Sequence, residues 1–253
     1  MRHTRAMAVM LGALLVASGC PEETEPDPEE FGWQVVFDDG ELDRALLAVW
    51  GTSSKSVYAV GGPLGNAGLE ALALHFDGKA WKELPAGGAD SFWWVSGSSD
   101  ADVWMVGEAG RITHYDGQSF TEHPRVTTAT LWGAIAFSPT DAWAVGGMPG
   151  SGTPKDVVLR YDGNAWTPVA LPEVTNAALF KVWGTSSEDL FVVGEAGTIW
   201  HKRGADWVRE NQPAINGGNL TTVHGCAPND VFAVGARDVL HFDGNAWSKL
   251  QVG

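Results

Sequence analysis

The stretch "DVWMVGEAGRITHYDG" at residues 102–117 decides the fold, because the chain contains five related copies of it. The glycine of its "VG" element recurs at Gly61, Gly107, Gly146, Gly194 and Gly235. An aromatic residue stands three positions before each of these glycines, at Tyr58, Trp104, Trp143, Phe191 and Phe232. The second half of the stretch aligns without gaps as "LHFDGKAW" (74–81), "THYDGQSF" (113–120), "LRYDGNAW" (159–166), "WHKRGADW" (200–207) and "LHFDGNAW" (240–247). Matches at this many positions indicate an internal repeat.

Each repeat reads as four short strands, named a to d. Strand a is apolar, as in "LFKVWG" (179–184), and strand b is the "DVWMVG" element. An "EAG" turn leads to strand c, "RITHY", and an Asp-Gly turn, expected to be of type I′, leads to strand d. Strands a and b are apolar almost throughout, which is typical of sheets that are covered on both faces.

Repeated four-stranded units predict an all-β fold, a β-propeller of about five four-stranded antiparallel blades. The blades are expected at approximately 46–85, 92–124, 131–172, 179–213 and 220–251, within a propeller domain that spans 31–253. Residues 31–36, "FGWQVV", resemble one more strand d, with an extra strand at 33–36. That strand either lies along the closing blade or takes the outer place of that blade.

The N-terminus has the layout of a secretory signal peptide. Arg2 and Arg5 precede an apolar run at residues 6–17, which is too short for an ordinary membrane span, and Cys20 follows three small residues. The next ten residues, "PEETEPDPEE" (21–30), hold six acidic residues and three prolines and no apolar side chain other than those prolines. Such a segment buries nothing, so residues 20–30 are predicted to be an extended tether.

Two resemblances to known families rest on these motifs. The ending "ASGC" resembles the lipobox of bacterial lipoproteins, although Ala17 stands where that family usually has Leu, Val or Ile. The resemblance implies that residues 1–19 are removed, that Cys20 is lipidated, and, with Pro21 next, that the protein lies at the outer membrane. The repeats resemble the "DVWAVG…HYDGxxW" propeller repeats of Gram-negative envelope lipoproteins, which are loosely related to BNR and Kelch-like repeats.

Residues that recur in every repeat are expected to be structural, because an active site occurs once. The histidine position of strand c holds His75, His114, His201 and His241, with Arg160 in the third copy. The aspartates that begin strand b, at 102, 141, 189 and 230, are expected to bond the backbone of their own turns. The hairpin aspartates at 77, 116, 162 and 243 are expected to stabilise their turns.

Functional residues are expected among the parts that do not recur. The b–c connection is long in the first and third repeats, at 61–74 and 146–159, and the d–a connections each carry a proline. These connections share one rim of a propeller, and loops on a rigid scaffold are where binding usually occurs. The candidate ligand-binding residues on this rim are Glu108, Arg111, Lys155, Asp156 and Glu195.

The composition and motifs narrow the function. The formal net charge of −15 argues against nucleic-acid binding. The chain has no "GxSxG" and no phosphate-binding glycine loop, and we predict no cofactor, metal or catalytic residue. The favoured interpretation is a monomeric, lipid-anchored binding or scaffolding module for a protein or glycan of the cell envelope. The alternatives are a glycan hydrolase or lyase of the sialidase-like propeller type, which an axial pocket with several Arg, Glu or Asp would favour, and a structural spacer.

Overall fold

The computed structural model describes residues 42–213, 215 and 218–251. Blade 1 contains β1 (Ala45–Ser53), β2 (Ser56–Gly62), β3 (Leu72–Phe76) and β4 (Trp81–Glu83). Blade 2 contains β5 (Phe92–Ser99), β6 (Asp102–Gly107), β7 (Ile112–Tyr115) and β8 (Phe120–Glu122). Blade 3 contains β9 (Leu131–Ser138), β10 (Asp141–Gly146), β11 (Val157–Tyr161) and β12 (Trp166–Pro168). Blade 4 contains β13 (Leu179–Ser186), β14 (Asp189–Gly194), β15 (Ile199–Arg203) and β16 (Asp206–Arg209), and blade 5 contains β17 (Leu220–Ala227), β18 (Asp230–Gly235), β19 (Val239–Phe242) and β20 (Trp247–Lys249).

Each blade is a four-stranded antiparallel sheet whose strands follow chain order. The first strands of consecutive blades pack side by side, β1 on β5, β5 on β9, β9 on β13 and β13 on β17. The prediction of an all-β propeller with five four-stranded blades is therefore confirmed. The predicted extra strand at 33–36, the signal peptide, the tether and Cys20 lie outside the described residues.

The "VG" element requires glycine because the structure leaves no room for a β-carbon at this position. A β-carbon on Gly107 would stand 2.0 Å from the main-chain oxygen of Ser91, just before strand β5. The backbone of Gly107 is extended, with φ −169°, so its conformation alone would admit any residue. The corresponding distances in the other blades are also too short, at 1.8 Å for Gly61 and 2.3 Å for Gly146, Gly194 and Gly235. The glycine thus lets strand b approach the start of strand a closely in every blade.

Three of the aspartates that begin strand b, Asp102, Asp189 and Asp230, hold side chains of their own blade, and Asp141 accepts a hydrogen bond from Ser187 of blade 4. Asp102 Oδ1 lies 2.8 Å from His114 Nε2 and accepts a hydrogen bond from Trp104 Nε1 at 2.9 Å, and its other oxygen binds Ser98. The expectation that these aspartates bond their own turn backbone is wrong, because a turn serine such as Ser99 already accepts the N–H bond there. Burial would raise the pKa of Asp102, but hydrogen bonds from His114 and Ser98 outweigh it and lower the pKa.

The same arrangement recurs in blades 4 and 5, where His201 and His241 lie 2.8 and 2.7 Å from Asp189 and Asp230. Each histidine also lies against the aromatic ring of strand b, with ring centres 3.8 Å apart for Phe191 and His201. The prediction that these repeated histidines are structural is therefore confirmed.

The hairpin aspartates stabilise their turns, as expected. Asp116 Oδ1 accepts hydrogen bonds from the N–H groups of Gln118 and Ser119, at 2.8 and 2.7 Å. Gly117 has φ +89°, but neither Asp116 before it nor Gln118 after it has a positive φ. The turn is consequently not of type I′, because that type needs positive φ at both central residues.

Candidate functional site

The b–c and d–a connections form one rim of the propeller, which we call the loop rim. Hydrogen bonds join the two kinds of connection in successive blades, from Ala71 N to Gly88 O at 2.6 Å and from Glu108 N to Ser91 O at 3.0 Å. All five predicted candidate residues lie on this rim.

Glu108 and Glu195 occupy equivalent turns and accept equivalent hydrogen bonds. Glu108 accepts a hydrogen bond from the N–H of Ser91 at 2.9 Å. Glu195 accepts one from the N–H of Ala178 at 2.9 Å, which is the matching position of blade 4. Each glutamate therefore fastens its b–c turn to the preceding d–a connection.

Arg111 is a buried anchor for a loop. Its guanidinium donates to the main-chain oxygens of Asp90 at 2.9 Å, Ala86 at 2.9 Å and Gly87 at 2.7 Å. It also lies 4.3 Å from the centre of the Phe92 ring, and the residue is only 1% exposed. Burial lowers the pKa of Arg111, and the nearby carboxylates of Glu122 and Asp90 oppose that shift.

Lys155 joins the long loop of blade 3 to blade 4. Its Nζ lies 2.6 Å from Glu195 Oε2 and 2.6 Å from the main-chain oxygen of Gly150. Burial would raise the pKa of Glu195, but hydrogen bonds from the Gly150 N–H and from Lys155 outweigh it and lower the pKa.

Asp156 holds the d–a connection that follows blade 3. It accepts hydrogen bonds from the N–H groups of Thr175 and Asn176, at 3.0 and 2.8 Å.

The structure thus brings Lys155, Asp156 and Glu195 to one part of the loop rim and leaves Glu108 and Arg111 on blade 2. A rim cavity of about 360 Å³ is lined by Thr153, Lys155, Asp156, Val169, Ala170, Leu171, Glu173, Val174 and Asn176. A second, polar cavity of about 440 Å³ is lined by Glu173, Gly197, Arg209, Glu210, Asn211 and Gln212. We call the two cavities, which share Glu173, the blade 3/4 rim pockets.

Val174 is the part of this surface that sequence reasoning missed. It lies in the d–a connection after blade 3 and is 76% exposed, beside the partly buried Val169 and Leu171. The available signal was an apolar residue between polar ones in "LPEVTN" (171–176), and its counterpart after blade 2, Val126 in "HPRVTT" (123–128), is also exposed.

The axis of the propeller holds a cavity of about 460 Å³ that the first strands of all five blades line. Its larger side chains are Trp50, Trp94, Phe137, Trp183 and His224, and none of the described residues that line it is Asp, Glu, Lys or Arg. The rings of Trp50 and Trp183 lie over glycines of the next blade, where a β-carbon on Gly97 or Gly225 would be 2.7 Å away.

An unrepeated pair lies beside this cavity. Lys181 Nζ is 3.7 Å from the centre of the Trp94 ring and donates to the main-chain oxygen of Trp132 at 2.6 Å. Burial lowers the pKa of Lys181 to about 8. Ala48, Gly133 and Thr222 hold the same repeat position in other blades, so an unrepeated residue on strand a was the sequence signal for this pair.

Neither a metal cluster nor a membrane helix is found in the described part of the chain. No group of three or more His, Cys, Asp or Glu residues there could hold a metal ion. No helix among the same residues is long and apolar enough to cross a membrane.

Comparisons with known proteins define the fold class. No family matches the chain, and no curated protein matches it. Among solved structures, RRP9 WD40 repeats match with a TM-score of 0.61 and 10% identity over 81% of this chain and 64% of that chain. YCF48 from Cyanidioschyzon merolae matches with a TM-score of 0.55 and 13% identity over 83% and 88%. The GH74 xyloglucanase from Xanthomonas campestris matches with a TM-score of 0.60 and 13% identity over 81% and 38%.

The chain is therefore a propeller repeat protein, and at these identities the likeness concerns the fold alone. It spans less than two thirds of the RRP9 chain and of the xyloglucanase chain. Because one of the similar structures is an enzyme and another is named for its WD40 repeats, the fold class does not assign an activity.

Proposed function

We propose that this protein is an exported, lipid-anchored propeller that binds a partner of the cell envelope through the blade 3/4 rim pockets. The observation that carries the proposal is the loop geometry there. The Lys155–Glu195 ion pair and the Asp156 hydrogen bonds hold two loops rigidly around an exposed apolar residue, Val174. A preformed surface of this kind loses little conformational entropy when a partner binds.

A protein is the partner that this surface fits best. Val169, Leu171 and Val174 form a small apolar patch, and the charged residues Glu173 and Arg209 border it. An apolar centre with a polar border is typical of protein interfaces. In the part of the chain that the structure describes, no aromatic ring on which a sugar could stack lines either rim pocket, so a glycan is the second choice.

Hydrolysis is disfavoured by the axial cavity. Glycoside hydrolysis needs two carboxyl groups about 5–10 Å apart. No Asp or Glu stands among the described residues that line the axial cavity, and the rim glutamates Glu108 and Glu195 already accept hydrogen bonds from loop N–H groups. These features favour binding over catalysis.

Exchanging one long loop tests the binding face. Replacing residues 147–156 by the short turn of blade 2 removes Lys155 and Asp156 and opens the blade 3/4 rim pockets. We expect capture of the partner from envelope extracts to fall by about tenfold or more, because both loops lose their anchors. Pull-down followed by mass spectrometry measures it.

The matched control is the same exchange in blade 1, at residues 63–71, which leaves the blade 3/4 rim pockets intact. Capture should persist in that variant. Equal capture by both variants, with circular dichroism unchanged, would show that the binding face lies elsewhere. The structural spacer would then be retained as an alternative.

The lipid anchor has a separate test. Cys20→Ala removes the thiol that the lipobox-like ending presents, so the protein should move from the membrane fraction to the soluble fraction. A lipid chain contributes about 0.8 kcal/mol per buried methylene, which no surface charge of this acidic chain replaces. Fractionation and mass measurement of the N-terminal peptide are the readouts.

Ser18→Ala is the control, because it keeps Cys20 and the small residues before it. Its fractionation should match that of the unchanged protein. If Ser18→Ala alone releases the protein, or if Cys20→Ala stays with the membrane, the anchor is not a lipid on Cys20.

A further inference from the structure

Lys181 places a positive charge at the loop-rim end of the axial cavity. It lies near the start of β13, two positions before Trp183, so the two side chains leave the strand on the same face, and Trp183 lines the cavity. The Nζ atom of Lys181 lies 3.7 Å from the centre of the Trp94 ring in blade 2 and donates to the main-chain oxygen of Trp132 in blade 3. The side chain of this blade 4 residue therefore reaches across blade 3 at the axis.

The ammonium group of Lys181 forms no ion pair with any described residue. The half-buried Lys155 on the loop rim, by contrast, is paired with Glu195 at 2.6 Å. Of the three N–H donors of Lys181, one is used by the main-chain oxygen of Trp132. Burial lowers the pKa of Lys181, and no carboxylate of the described chain opposes that shift. Because a charge removed from water without a partner is unfavourable, an anion that reached this group would form a strong, charge-assisted hydrogen bond.

The wall of the axial cavity suits a small molecule with an apolar ring. Small-molecule sites have volumes of about 300–1,000 Å³ and are mostly apolar with a few polar groups, and this cavity of about 460 Å³ lies within that range. Trp50, Trp94 and Trp183 contribute aromatic rings to the wall. Ser96 and His224 also line it, and neither side chain forms a hydrogen bond with another described residue. The cavity thus combines apolar surface with polar groups that are free to bind a ligand.

We infer that the axial cavity binds a small molecule with an apolar ring and one carboxylate, and that the carboxylate pairs with Lys181. The net charge of −15 would repel anions, but no Asp or Glu stands among the described residues that line the cavity. A neutral ligand would leave the ammonium unpaired, and further charges on the ligand would lie against the apolar wall. The site shares no lining residue with the blade 3/4 rim pockets, so it does not depend on the proposed binding of a protein partner there.

Calorimetric titration of the purified full-length protein with cinnamate and with cinnamamide tests this site. The two probes have the same ring and side chain, but only cinnamate carries a negative charge. Lys181→Met keeps an apolar side chain and removes the ammonium group. We expect this variant to bind cinnamate about tenfold or more weakly than the unchanged protein does, because a hydrogen bond between two charged groups is lost. Cinnamamide should bind the two proteins with equal affinity, because its ring contacts remain.

The matched control is Lys82→Met, which removes a lysine far from the axis. Lys82 lies on β4, the outer strand of blade 1, and pairs with Asp77, so its loss should leave the affinity for cinnamate unchanged. Should Lys181→Met not fold, Lys181→Gln keeps an N–H donor for the oxygen of Trp132 and should show the same selective loss of cinnamate. The inference is overturned if cinnamate does not bind the unchanged protein, or if the Lys181 substitution weakens neither probe. Equal weakening of both probes also overturns it, because Lys181 would then only shape the cavity.

Discussion

Gly107→Ala is expected to lower the free energy of unfolding by about 3–4 kcal/mol, which is a large loss for a single methyl group. The new β-carbon would meet the main-chain oxygen of Ser91 at 2.0 Å and the Cα of Phe92 at 3.0 Å. Both atoms belong to the backbone at the start of β5, so neither can rotate away as a side chain would. Urea unfolding followed by tryptophan fluorescence measures the change.

The control for this substitution is Gly65→Ala, which adds the same methyl group in open space. Gly65 has φ +87° and no atom within 4 Å of the added carbon, so only backbone strain of about 1 kcal/mol is expected. If Gly65→Ala destabilises the protein as much as Gly107→Ala, close approach of the strands is not the reason for the repeated glycine.

Arg111→Met is expected to lower the free energy of unfolding by about 3 kcal/mol. Methionine fills much of the same space but donates no hydrogen bond to the oxygens of Asp90, Ala86 and Gly87. The d–a connection before blade 2 should also exchange its amide hydrogens faster, which hydrogen–deuterium exchange reports.

Arg160→Met is the matched control for the arginine. Its guanidinium is about half exposed and lies 3.8 Å from Asp141, so its removal should change stability by less than about 0.5 kcal/mol. A loss below about 1 kcal/mol for Arg111→Met would mean that the three loop oxygens are satisfied in another way, and Arg111 would return as a candidate for binding.

Repetition explains why so much of the fold is readable from the sequence. Five copies of strand b and strand c, each with its glycine and aromatic residue and four of them with a histidine, specify a sheet that must be covered on both faces. The same repetition separated the structural histidines, such as His114, from residues that could carry a function. The interaction of Asp102 was not readable, because a side chain on strand b can bond the turn or strand c and spacing does not distinguish them.

The rim residues also differ in what the sequence predicted and what only the structure shows. Sequence reasoning placed Glu108, Arg111, Lys155, Asp156 and Glu195 on one rim, and the structure has them there. It could not show that Arg111 is buried among loop oxygens, or that Lys155 meets Glu195 forty positions later. Those contacts depend on loop paths that differ from blade to blade, so no repeated pattern predicts them.

By itself, the sequence determined the strand order, the blade unit and its packing on both faces, because each repeat carries the same local requirements for burial and turns. Only the tertiary structure decided which charged rim residues are anchors, and that no Asp, Glu, Lys or Arg stands among the described residues lining the axial cavity. These properties depend on contacts between side chains of different blades. The spacing of residues along the chain does not predict such contacts.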